Sequence, residues 1–124
     1  MNLILVGFGG AIGAFLRAWL FIFVPITHPF PISTLLANLV GTFVLSFITF
    51  LFIHKYRRMK LFLGTGILGS FTSVSAFSVE TIGLFGVNVL YASIYLVVTV
   101  VGGVLCAFLG AYFARSFSKE EGVA

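Results

Sequence analysis

Gly64-Thr-Gly-Ile-Leu-Gly-Ser-Phe-Thr-Ser-Val-Ser-Ala-Phe-Ser-Val-Glu80 places three Gly and six Ser or Thr in the middle of an otherwise apolar segment. A helix that only anchored a chain in lipid would carry branched and aromatic side chains there. In hydrocarbon each unsatisfied backbone group costs several kcal/mol, so irregular backbone survives only when buried in protein or lining a water-filled path. Discontinuous membrane helices build ion sites from freed carbonyls and half-helix ends. The stretch therefore predicts a third membrane helix broken at its centre, and it points to ion handling.

The surrounding chain supports a membrane setting. At 124 residues, 60% hydrophobic and 8% charged, it has too much apolar surface for a water-soluble domain of its size. The expected fold class is an all-α membrane protein, with residues 1–124 forming one transmembrane domain. Met1-Asn2 supplies no basic region ahead of the first apolar run, so that run is expected to stay as a helix. Cys106 stands alone within an apolar run, which excludes a disulfide or thiolate metal framework and suits a small buried hydrophobe. The net charge of +4 comes from residues at span ends, where it reports orientation and gives no support for nucleic-acid binding.

A spanning helix needs about 20 mostly apolar residues. The chain offers spans at about 3–24, 32–53, 61–84 and 87–114, with a polar tail at 116–124. Pro25, Pro29 and Pro31 with His28 break the first connection, His54 to Lys60 makes a basic loop, and Gly83 and Gly86 with Asn88 mark an uncharged turn. Four crossings put both termini and the second loop on one side. That side holds Lys55, Arg57, Arg58, Lys60, Arg115 and Lys119, whereas the opposite loops hold no Lys or Arg. The bias predicts both termini in the cytoplasm of a cell-membrane protein. Gly9 with Gly13, Gly10 with Ala14, Gly103 with Ala107 and Gly102 with Gly110 have helix-packing spacing. They serve contacts inside one bundle or between subunits; four short helices enclose little volume, which favours a dimer.

Few side chains could handle an ion. Arg17 lies inside the first span, where a charge is functional by default; it would draw an anion into an adjacent vestibule or snorkel as a structural group. Glu80 reads equally as a cap, an interhelical pair, with Arg17 as one candidate partner, or part of a conduction path. The Asn38 amide offers two N–H donors to an anion, with interhelical bonding as the alternative, and Thr34 and Gly41 give it a small, polar face. Tyr95, Thr99 and Gly103 recur every fourth residue along one face of the fourth span. The Tyr95 and Thr99 hydroxyls form an ion track or bond the carbonyl one turn back. Phe71 and Phe77 flank the polar centre, and a ring edge is electropositive enough to face an anion.

Taken together, these residues resemble the Fluc/CrcB family of fluoride channels. The resemblance rests on Gly9-Gly-Ala-Ile-Gly-Ala-Phe-Leu-Arg17, Thr34-Leu-Leu-Ala-Asn38-Leu-Val-Gly41, Gly69-Ser-Phe-Thr-Ser-Val-Ser-Ala-Phe-Ser-Val-Glu80 and Tyr95 to Gly103, one motif on each span. It implies two subunits packed antiparallel across the membrane, with fluoride leaving passively through paired pores. Backbone carbonyls of Gly69 and Thr72 from both subunits would hold a central structural sodium ion. Asn38, Phe77, Ser75, Tyr95 and Thr99 would line the anion path, and Arg17 matches the family's basic position in the first helix. The family's run Gly-Gly-x-Thr-Thr-Phe-Ser-Thr-Phe-Ser is altered here: Val74 stands at the first Phe, Ser73 and Ala76 at Thr positions and Ser70 at the second Gly.

Val74 lacks a ring edge, so a pore that relies on residue 74 of this chain should conduct poorly or differently. A basic bias of six to none also opposes insertion in both orientations, which an antiparallel homodimer requires. The two departures predict a heterodimer with a homologue of reversed orientation. Two other readings compete. A proton-coupled transporter resembling the small multidrug resistance family needs a carboxylate in its chamber, typically in the first helix, and this first span has none. A non-conducting partner subunit fits Val74 but leaves Asn38 and the hydroxyl row without a role. No nucleophile–base pair supports an enzyme, and His28 and His54 fall in separate loops on opposite sides.

Overall fold

The computed structural model describes residues 1–24, 30–52 and 56–120. Most of the proline-containing connection, with Pro25, His28 and Pro29, lies outside the described residues, as do His54, Lys55 and 121–124. Four stretches are long and apolar enough to cross a membrane: Asn2–Phe23, Ile32–Leu51, Arg57–Val87 and Val89–Glu120. At about 1.5 Å per residue, 20 residues give roughly the 30 Å of the hydrocarbon core. No strand occurs among the described residues.

The first two crossings are continuous helices, α1 (Asn2–Phe23) and α2 (Ile32–Leu51). The third is composite. Arg57–Met59 starts as an α-helix, Lys60–Leu68 widens into π turns, and Gly69–Phe71 returns to α geometry; these consecutive turns are α3. The Gly69 N–H reaches back five residues to the Gly64 carbonyl, the bond that defines the wider turn. The backbone then becomes extended at Thr72 (φ −82°, ψ 154°) and Ser73 (φ −152°, ψ 111°). It resumes as α4 (Val74–Val87), whose start is capped by Ser73 Oγ accepting the Ala76 N–H at 3.1 Å.

The fourth crossing, α5 (Val89–Glu120), differs from expectation at both ends. The preceding helix runs through Gly83 and Gly86, which have open space around them, and the turn falls at Asn88 alone. Asn88 Oδ1 caps α5, accepting the Leu90 N–H at 2.9 Å and the Tyr91 N–H at 3.3 Å. At the far end, residues 116–120 continue the helix where the sequence suggested a tail. The Phe117 ring packs on Phe47 at 6.0 Å, and Lys119 sits in the last turn, where a cation suits the helix dipole.

Two pairs of helices make the framework. The first is α1 against α3: a Cβ on Gly9 would lie 2.5 Å from the Phe62 carbonyl oxygen, and one on Gly13 would run into the Ile67 backbone. The second is α2 against α5, where a Cβ on Gly110 would meet the Phe43 carbonyl oxygen and one on Gly102 would lie 3.0 Å from Leu39. Ser46 Oγ also donates to the Ala107 carbonyl at 2.6 Å across this second crossing. Gly9, Gly13, Gly102 and Gly110 thus serve packing within the chain, whereas nothing approaches Gly103. A small core of Leu84, Ala92 and Tyr95, covered by Phe30, Leu35 and Phe77, joins α4 to α5 and α2. Most other large apolar side chains face outward, as they do where lipid is the solvent.

Candidate functional site: a polar groove beside the interrupted third span

The interruption at Thr72–Ser73 is held by one side chain. Asn38, midway along α2, accepts the Ser73 N–H on Oδ1 at 2.8 Å and donates from Nδ2 to the Ser73 carbonyl at 3.2 Å. Because the peptide N–H needs an acceptor, the amide orientation is fixed. Its second N–H has no partner among the described residues. Asn38 therefore acts as interhelical glue and still keeps a donor. The Asn38 carbonyl in turn accepts from Thr42 Oγ1 at 2.6 Å.

Along this clamp runs a cavity of about 280 Å³, bordered by Asn38, Thr42, Thr72, Val74, Phe77 and Thr99, with Gly103 at its edge. Among the described residues, no charged side chain borders it. Thr99 Oγ1 is buried and has no hydrogen-bond partner among the described residues. Its neighbours in the fold behave differently: Thr42, Thr72, Ser78, Thr81 and Ser93 all donate to the carbonyl four residues back. The groove thus gathers an orphan hydroxyl, a spare amide N–H and the Phe77 ring. These groups can strip water from a small anion and replace it with donors, without a cation that would trap the ion.

The expected row of Tyr95, Thr99 and Gly103 is divided in space. Tyr95 is fully buried against Phe30 (5.4 Å between centroids) and Phe77 (5.3 Å), and its hydroxyl donates to Glu80 Oε2 at 2.8 Å. The second Glu80 oxygen accepts from Thr34 Oγ1 at 2.7 Å. Glu80 therefore ties α2, α4 and α5 together. It forms no ion pair with Arg17, whose guanidinium lies 5.7 Å from the Phe21 ring centroid. Arg17 and Glu80 instead share the rim of an open recess of about 390 Å³ with Ser73, Ser75 and Ala76. Ser75 is exposed there, 3.0 Å from the Ser73 hydroxyl.

Residues 4–111 match the family described as CrcB-like protein, Camphor Resistance (CrcB). The chain is also 37% identical to a protein of Oceanobacillus iheyensis, over 99% of this chain and 98% of the relative. It is 36% identical to one of Thermosipho melanesiensis (93% of this chain, 97% of the relative) and to one of Methanocaldococcus jannaschii (95% and 98%). All three relatives carry the name fluoride-specific ion channel FluC. The chain belongs to the CrcB family. The family is one of ion channels and not of enzymes, and this member is a multi-pass membrane protein.

Family membership gives a reason to test the Gly69 and Thr72 carbonyls as cation ligands. In a continuous helix the Gly69 carbonyl would take the Ser73 N–H and the Thr72 carbonyl the Ala76 N–H. Here Ser73 N–H goes to Asn38 Oδ1 and Ala76 N–H to Ser73 Oγ, so neither oxygen has its usual helical donor. Backbone carbonyls of this kind suit a hard monovalent cation. Among the described residues no cluster of three His, Cys, Asp or Glu offers another metal site. Two positions escaped the sequence reading: Thr42, which borders the groove one turn beyond Asn38 on the same face, and Ser73 as the peptide that Asn38 grips.

Proposed function

We propose that this chain is a subunit of a fluoride-selective channel that lets fluoride leave the cytoplasm down its electrochemical gradient. The observation that carries the reading is the groove lined by the Asn38 amide, the Thr99 hydroxyl and the Phe77 ring, with no charged residue among the described lining. Fluoride is a small, strongly hydrated anion, and it needs close donors to leave water. Arg17, on the adjoining recess, raises the local anion concentration before entry. Asn38, Phe77 and Thr99 then form the path, Ser75 stands at its mouth, and Tyr95 holds the wall behind Phe77 through its bond to Glu80.

The functional unit in this reading is a dimer with the second subunit inverted in the cell membrane. The interruption at Thr72–Ser73 is its crossover, where the Gly69 and Thr72 carbonyls of one subunit meet the same pair from the other. A sodium ion held there supplies a fixed positive charge at the centre. Val74, 78% exposed beside the groove, favours unequal pores and hence pairing with a homologue that brings the missing ring. Both termini lie in the cytoplasm, on the basic side.

Fluoride-loaded liposomes test the reading directly. The chain reconstituted with its pairing homologue should release fluoride without a pH gradient, retain chloride, and release at least tenfold less when Asn38→Ala is introduced. Strict dependence on a proton gradient would favour the transporter alternative. Unchanged release with the variant would make the chain a non-conducting partner.

A further inference from the structure

We propose that the basic end of the molecule is a binding site for the phosphate headgroup of an anionic phospholipid. Arg57, Arg58 and Lys60 open α3, while Arg115 and Lys119 close α5 at the same end of the bundle. All but Lys60 are exposed, and Lys60 is half-buried. None forms an ion pair among the described residues, and Glu120 is the lone acid described at that end. Fixed orientation needs only that such residues lie on one side; it does not require them to be gathered around one helix end.

Here they are gathered. The end of α2 is bracketed by two ring contacts: the Arg115 guanidinium lies 5.1 Å from the Phe50 centroid, and the Tyr56 ring meets Phe52 at 5.9 Å. Tyr56 directly precedes Arg57, so both basic groups border the same turn. Beside them Tyr56 and Met59 are each nearly half exposed, at 46% and 45%. Cations, an amphipathic aromatic ring and an apolar side chain thus share one span end, a combination that suits the phosphate, glycerol and upper acyl chain of a phospholipid. A free phosphate or a nucleotide would use the charge but not Tyr56 and Met59. Basic residues next to a membrane helix each strengthen attraction to an anionic leaflet by roughly fivefold, and the effect is screened by salt.

Native mass spectrometry of the detergent-purified chain, titrated with phosphatidylglycerol or phosphatidylcholine of equal chain length, tests this without regard to membrane orientation. Phosphatidylglycerol should bind about tenfold more tightly, and the preference should weaken at high salt. Arg58→Gln should lower it several-fold and Arg57→Gln/Arg58→Gln/Lys60→Gln should abolish it, while Arg57→Lys/Arg58→Lys, which keeps the charge, should retain it. Millimolar inorganic phosphate should not displace the lipid. Equal occupancy by the two lipids, or a preference that survives the triple substitution, overturns the proposal. Displacement by inorganic phosphate overturns it in favour of a free-anion site.

Discussion

Thr99 has a buried hydroxyl with no hydrogen-bond partner among the described residues, and two substitutions separate the reasons for its presence. If it served the fold, Thr99→Val would lower stability. Removing a buried, unsatisfied hydroxyl instead relieves a penalty of about 1–3 kcal/mol. Thr99→Val should therefore leave the melting temperature unchanged or raise it. The same variant should cut fluoride efflux more than tenfold, a barrier increase above about 1.4 kcal/mol, and Thr99→Ser should restore it. Efflux that persists in the valine variant would remove Thr99 from the path. Val74 poses the converse question. Its side chain is 78% exposed at the edge of the groove, so Val74→Phe meets little steric resistance and should change stability by no more than about 0.5 kcal/mol. The added ring edge is expected to raise efflux several-fold in the assembled channel; unchanged efflux would place residue 74 outside the conducting route.

At the scale of elements, the crossing of α1 and α3 depends on hydrogen atoms where side chains would otherwise stand. A Cβ at Gly13 would run into the Ile67 carbonyl, which is backbone and has no rotamer to change. Gly13→Ala should destabilise the chain by about 1–3 kcal/mol, measured as a lower melting temperature in detergent. Gly103→Ala, facing open space, should leave the melting temperature as it is. Much of this level was legible in the sequence. Four apolar runs gave four spans, and the Gly and Ser/Thr content of the third marked the place where α3 gives way to α4. The limits of α4 and α5 were not legible, because Gly83 and Gly86 are tolerated inside a helix when nothing needs their space, while the Asn88 cap sets the turn. Nor was the grip on Glu80. Its partners Thr34 and Tyr95 lie 46 and 15 residues away, and no spacing rule reaches across helices that pack only in three dimensions. The division of the Tyr95–Thr99–Gly103 row has the same origin: one helical face is shared between the protein core and the groove.

For the molecule as a whole, the proposed antiparallel pairing makes charge the property that decides which subunits it can meet. Lys55, Arg57, Arg58, Lys60, Arg115 and Lys119 stand on one side and no Lys or Arg stands in the opposite loops. Orientation follows the excess of Lys and Arg in short loops close to the span ends, and four of these six residues lie within the single loop between α2 and α3 or in its first turns. That loop is therefore the lever. With Cys106→Ser as background, a cysteine introduced at Lys119 should react with an impermeant thiol reagent from the cytoplasmic side only. Replacing Lys55, Arg57, Arg58 and Lys60 by Gln should give a mixed population, labelled from both sides. On the proposed heterodimer reading, the mixed population then contains antiparallel pairs that the natural chain does not make alone. If pairing is limited by orientation, the neutralised chain should gain efflux without its homologue, to a level still reduced by two Val74 positions, and adding Val74→Phe should raise it further. If the neutralised chain labels from both sides and remains silent even with Val74→Phe, the subunit faces themselves are unequal. The requirement for a second kind of subunit would then lie in the fit of the interface and not in the direction of insertion.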